Sequence, residues 1–539
     1  MSNEPDLTFS DFLAKIDGLG KEEWITVYAR HQDDFEWSGF YSALISEKMM
    51  AKSLSDPSWD LSIGDGLPGF SFRFEGGKEM GTYFRYSNEG VEPLVIWRNF
   101  HGMKSSYLEI SEEFRFYFNL FEDHRNNKFI IIDENGDDED VILISDKEVK
   151  IKLRLIKEFL AVKKMRLALY FDFNRFSDKT IEELKIKEHR EQKKGDDFIY
   201  SIGARNWDSF GDETKKSQGF LMGKKLISGL KNFEPKIFGQ EEKKFVDFII
   251  GIDNDGKEVV HTCDEKKLAN FYGKNKGEPY FVTPVFFKKD VLTKYYSQPE
   301  KYSVEDGYLH CGGMWGLRMD NNHSDFIIAF LGDLGYLSYK EQLHWRSFNV
   351  SAKEKISRTA WERGFEAKFA EPENSALFFK HKFSLFQEAW ENKFGWKFFR
   401  PLSKEDEHYF KSLHIPMTNE QKEFDEQILA IVKIFIDSLN EKELEKELSL
   451  SGGEKGIDKL EGFLNSKGAK YNGMVNFLRN LQDLRSTGVA HLKGSKYEKV
   501  KLAFSIGEKD LSKVFDDIIT KCIWALNSLE REFIKHEDI

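Results

Sequence analysis

The chain has 539 residues, enough for three or four domains at about 150 residues each. Its net charge of −12 and pI near 5.7 exclude a basic coat for nucleic acid, though not a local basic site. Cys263, Cys311 and Cys522 lie far apart without a C-x-x-C pair, which excludes a disulfide or zinc framework and suits a reducing cytosol.

The N-terminus, Met1 to Asp6, is acidic and lacks the basic-then-apolar profile of a signal peptide. No apolar run reaches the ~18–20 residues needed to span a bilayer, so a cytoplasmic protein without membrane contact is expected. Residues 10–54 read as two or three short helices. Phe12, Leu13 and Ile16 form one face, and Trp24, Ile25 and Tyr28 open the next. From Phe70 the period changes to two, with Phe70, Phe72 and Phe74 alternating with Ser71, Arg73 and Glu75. Further predicted strands are 83–86, 94–97, 107–110, 114–120, 129–132 and 141–144. The last two flank Asp133-Glu-Asn-Gly136, a hairpin signal. A helix is predicted over 151–162 and a strand over 167–173. The mixed charge run Lys185–Lys194 reads as an exposed connector. Strand signals resume at 198–202, 245–252, 259–262 and 280–287.

Between Tyr308 and His344, seven potential ligands (His310, Cys311, Asp320, His323, Asp325, Asp333 and His344) cluster loosely. None has a structural-zinc spacing, so no metal site and no cofactor are assigned. A pocket for a regulatory molecule stays open there, beside the plainer reading of a β-rich module. In 353–415, cations such as Lys380, Lys382 and Arg400 interleave with aromatic rings, a pattern that holds single-stranded nucleic acid. Phe378, Phe379, Phe383, Phe386 and Trp390 nevertheless recur at helical spacing, which favours packing.

Beyond Pro416, Thr418 or Asn419 caps a helix with Glu420 and Glu423 in its first turns. Phe424, Ile428, Ile431, Val432, Phe435 and Leu439 form its apolar face. Leu450-Ser-Gly-Gly-Glu454 resembles the signature loop of ABC-type ATPases, but the chain has no Gly-x4-Gly-Lys-Ser/Thr phosphate loop and that reading fails. Helical patterns follow at 457–464, 471–485 and 509–533. The whole is an α+β chain: an α+β module over 1–175, a β-rich middle module over 176–416 and a helical bundle over 417–539.

Chemistry is sought at the end of the 471–485 helix. Met474, Phe477, Leu478, Leu481 and Leu484 form one apolar face, and Arg485 and His491 follow around the permissive Ser486-Thr487-Gly488. An Arg to hold phosphate and a His titrating near neutrality suffice to cleave RNA without metal. The same spacing occurs at Arg318–His323 and Arg531–His536. The first crosses a turn and the second lies at the chain end, so context selects the middle copy. A purely structural reading, with Arg485 in a surface ion pair and His491 capping a helix, stands beside the catalytic one.

Arg485 to His491 within a C-terminal bundle resembles the R-x(4–6)-H motif of the HEPN superfamily. That resemblance covers about residues 418–539 and implies a metal-independent ribonuclease of antiviral or stress defence, acting as a homodimer with a composite site. Many members carry Asn, Asp or His after the Arg, where this chain has Ser486. Some members only bind partners. Lys493, Lys496, Arg479 and Asn480 are the candidate RNA-binding residues. The preceding 416 residues are expected to sense an unknown trigger and restrain the nuclease.

Overall fold

The computed structural model describes residues 6–61, 69–84, 90–207, 214–231, 233, 243–351, 354–364, 366–446, 455–471, 473–489 and 495–535. The chain is α+β and divides into two compact units, 1–133 with 137–241, and 134–136 with 242–539.

The first unit is built on an 11-stranded antiparallel sheet. Its strands are β1 (Trp24–Gln32), β2 (Glu36–Ser46), β3 (Val91–Pro93), β4 (Phe121–Asp123), β5 (Lys128–Ile132), β6 (Asp138–Ile144), β7 (Glu148–Lys152), β8 (Met165–Ser177), β9 (His189–Lys194), β10 (Phe198–Asn206) and β11 (Ser217–Ser228). They run in the order β9-β10-β11-β8-β2-β1-β7-β6-β5-β4, with β3 also on β2. Helix α1 (Leu153–Lys163) buries Leu155, Ile156, Phe159 and Leu160 in the same core as Ile25, Val27, Val149 and Ile151.

Three expectations are corrected here. Residues 24–46 form the β1–β2 hairpin rather than helix, because Ile25 and Val27 alternate inward in a β-branched stretch instead of following Trp24 at helical spacing. Conversely 114–120 is no strand: Glu112–Tyr117 is a helix with two acids in its first turn and Phe114 fully buried. The division expected at 175/176 falls inside β8, which is bonded along its length to β2 and β11, so a cut there would strip two ladders.

The second unit contains a six-stranded antiparallel sheet. Its members are β12 (Pro284–Lys288), β13 (Tyr302–Glu305), β14 (Tyr308–Cys311), β15 (Trp315–Asp320), β16 (Phe326–Phe330) and β17 (Asn349–Val350), in the order β13-β14-β15-β16-β12-β17. Helix α2 (Tyr339–Ser347) buries Trp345 in that core. Then come α3 (Ser375–Phe394), α4 (Gln421–Val432), α5 (Gly456–Ser466), α6 (Met474–Leu484), α7 (Ser495–Ala503) and α8 (Leu511–Leu529).

Helix α3 starts on Asn374, whose Oδ1 accepts from the N–H groups of Ala376 and Leu377, and stops at Gly395 with φ 76°. Its Phe379, Phe386 and Trp390 lie in one core with the faces of α4, α5, α6 and α8. The aromatic run of 378–390 is therefore packing. The bundle also starts some 40 residues before the expected 417, because α3 belongs to it.

The apolar faces of 424–439 and 511–529, which would favour a dimer if they were exposed, are both buried inside the single chain, with no residue of either face above 9 % exposed. These two faces thus supply no reason for self-association. Among the described residues, no helix is long and apolar enough to cross a membrane.

Candidate functional site

Helix α6 turns its face of Met474, Val475, Phe477, Leu478, Leu481 and Leu484 into the core. The helix does not stop there. Arg485–Val489 continues it as a π-helical turn, a widened geometry that often accompanies functional positions. The Oγ of Ser486 donates to the carbonyl of Gln482 at 2.8 Å, and Thr487 Oγ1 to that of Asp483 at 2.6 Å. Such back-bonding bends a helix, and here it falls where the winding changes.

Arg485 is 30 % exposed, and its Nη2 lies 3.6 Å from Oδ2 of Asp437. That separation is too long for a strong charge-assisted hydrogen bond, so the guanidinium keeps capacity for another anion. Asp437 ends a second π-helical turn, Lys433–Asp437, which continues α4. The backbone carbonyl of Asp437 accepts from Arg400 Nη2 at 3.0 Å. Beside it, Arg400, Ser403, Asp406, Lys433 and Asp437 help to line an open recess of about 280 Å³. Lys433 sits 3.8 Å from Asp406. Two cations, Arg400 and Lys433, therefore line the same recess as Asp437, the residue whose carboxylate faces Arg485. Asp437 and Lys433 escape a sequence reading because they sit within an apolar helix pattern; Arg400 is visible there only as one cation among many.

The other predicted residues fare differently. His491 and Lys493 lie outside the described residues, as does the 450–454 loop. Lys496 lies in α7, where its backbone alone is described. Arg479 is engaged by Asp458 at 2.8 Å and Glu461 at 2.6 Å, both on α5, so it ties α6 to its neighbour. Asn480 is half-buried next to it. Lys499 is exposed, while Lys501 sits 3.9 Å from Glu498.

Of the rival copies of the spacing, the first lies wholly within the described residues and the second only in part. Arg318 pairs with Asp333 at 3.3 Å and lies over the Phe330 ring, while His323 Nδ1 accepts from the N–H groups of Asp325 and Phe326. Arg531 is in a π-helical turn after α8, and His536 lies outside the described residues.

The ligand candidates of 308–344 are dispersed. Asp320 accepts from the N–H and hydroxyl of Ser357, and His344 Nε2 is 2.9 Å from the Val291 carbonyl. Burial lowers the His344 pKa. Burial likewise raises that of Asp333, against its pairing with Arg318. Among the described residues, no group of three or more His, Cys, Asp or Glu side chains is placed to hold a metal. A cavity of about 230 Å³ does open beside Tyr308, Arg318, Phe330 and Arg363. Comparison with family models, with curated proteins and with solved structures finds no match for the chain.

Proposed function

We propose that the chain is a regulated, metal-independent RNA endonuclease of antiviral or stress defence. The observation that carries the reading is Arg485, part-exposed on a π-helical turn and held, among the described residues, by only a 3.6 Å ion pair, six residues before His491. His491 takes the proton from a ribose 2′-hydroxyl. The 2′-oxygen attacks the adjoining phosphorus, the bond to the 5′-oxygen breaks, and that oxygen leaves with a proton. Arg485 stabilises the charge gathering on the phosphoryl oxygens. The products are a 2′,3′-cyclic phosphate and a 5′-hydroxyl end. A second copy of the motif in a homodimer would supply the acid while the first supplies the base. Lys493, Lys496 and Asn480 hold the RNA backbone. Arg479, already held by two carboxylates, serves the fold instead.

The test uses the full chain, structured RNA and EDTA. His491→Ala and Arg485→Ala should each lose ~10²–10⁴ in cleavage rate. Arg485→Lys should recover only part, because Lys lacks the bidentate fork. His323→Ala, whose ring serves a turn, should cleave like the parent. Undiminished cleavage by His491→Ala, or its abolition by EDTA, removes the assignment. The competing reading is a non-catalytic bundle that binds partners, which the Arg479 clamp favours; it requires that none of these proteins cleave RNA.

A further inference from the structure

One surface loop of the second unit presents rings to water in a way that packing does not explain. Phe271 is 85 % exposed, Tyr272 98 % and Tyr280 51 %. Phe271 and Tyr280 already face one another, with ring centroids 5.7 Å apart and planes inclined by 32°. The backbone beneath them is held. Asn270 Oδ1 accepts from the N–H groups of Tyr272 and Lys274, at 3.0 and 3.1 Å. Asn275 Nδ2 donates to the carbonyls of Lys266 and Leu268, at 2.7 and 3.1 Å, and Ala269 bridges to Tyr280. The rings are thus displayed by a fixed loop. An exposed aromatic cluster of this kind is a mark of an interaction site.

Charge decides the partner. Lys266, Lys267, Lys274 and Lys276 are exposed in the same loop as the rings, and none is ion-paired among the described residues. The acids of the loop are engaged: Asp264 accepts from the Lys266 N–H, Glu265 from the Tyr336 hydroxyl, and Glu278 lies 3.0 Å from His261. Protein interfaces are depleted in lysine, so a protein partner fits poorly. Rings between unpaired lysines match single-stranded nucleic acid, whose bases stack while its phosphates take the cations.

We infer that the 266–280 loop is a stacking platform for single-stranded RNA. The choice of RNA rests on the ribonuclease reading above, whereas the platform uses separate residues. It would hold a strand by one or two bases without reading their identity, because every base has a face to stack.

The experiment measures anisotropy of fluorescein-labelled U12 and dT12 with the full chain in the His491→Ala background, so that no probe is consumed. U12 should bind. Phe271→Ala/Tyr272→Ala should weaken it at least about tenfold, since each stacked base contributes that order of affinity. Lys266→Glu/Lys274→Glu should reduce the slope of log K against log salt by about 0.7 for each phosphate that the variant no longer neutralises. These exposed substitutions should leave the melting temperature unchanged. The inference is overturned if U12 does not bind, if the ring variant binds it as the parent does, or if dT12 binds and U12 does not. Binding only to phosphatidylserine vesicles overturns it too. Binding with these signatures, in a protein whose parent cleaves nothing, sinks the ribonuclease reading and leaves the platform standing.

Discussion

Glu423 shows how much of the candidate region hangs on single side chains. Its carboxylate accepts from the N–H groups of Met417 and Thr418, each at 2.8 Å, and from the Thr418 hydroxyl at 2.5 Å; His414 Nε2 lies 3.1 Å away. Burial works to raise its pKa, but these hydrogen bonds outweigh it and pull the carboxyl down to about 2. A depressed carboxyl stabilises the fold above its unfolded value of 4.5, and that contribution fades as pH falls from 4.5 towards 2. Glu423→Gln should therefore lower stability at pH 7 by ~2 kcal/mol and flatten the acid limb of a melting-temperature profile. An unchanged acid limb would show that Glu423 is not the group responsible. Part of this is legible in the sequence, where Glu423 falls in the first turns behind Thr418. The role of Asn419 is not, because its Oδ1 accepts from the N–H of Leu511, a partner 92 residues away.

At the scale of elements, amphipathic helices are the most readable part, since a periodicity of 3.6 repeats often enough to outvote exceptions. Helices α6 and α8 follow their sequence patterns closely. Strand β11 escapes notice because no apolar alternation marks it. It lies inside the sheet and buries both faces, and Gly219, Gly223, Lys224 and Lys225 interrupt the pattern. The physical reasons differ. A Cβ on Gly219 would come within 2.4 Å of the Leu7 carbonyl oxygen, and one on Gly223 equally close to that of Ile199, so the backbones approach too closely for a side chain. Lys224 is 1 % exposed, and its Nζ pairs with Asp60 Oδ1 at 3.0 Å. A hydrophobicity pattern records that lysine as surface. Removing one partner of such a pair strands the other charge, so Asp60→Ala should cost ~3–5 kcal/mol in urea unfolding. Adding Lys224→Met should restore most of that loss. A double variant no better than Asp60→Ala alone would show that packing around Asp60, not the charge pair, is what matters.

At the scale of the whole molecule, the site region is legible as a helical bundle but its extent is not. Local pattern places a boundary at Pro416, where an aromatic segment gives way to capped helices. The core ignores that boundary. Phe379, Phe386 and Trp390 of α3 are 0 %, 1 % and 0 % exposed, and they pack with Phe398, Phe399, Phe435 and Phe463. Cutting at 417 removes all three rings at once. Loss of one buried Phe or Trp costs ~3–5 kcal/mol, so the three together approach ~9 kcal/mol or more. A domain has only ~5–15 kcal/mol to lose. The fragment 417–539 should therefore aggregate or show no cooperative melt, whereas 372–539, which keeps α3 on its Asn374 cap, should melt cooperatively. On the ribonuclease proposal, with the preceding chain restraining the bundle, toxicity should appear with 372–539 and not with 417–539. If 417–539 melts cooperatively and matches 372–539 in toxicity, α3 is dispensable and the bundle does begin at Pro416.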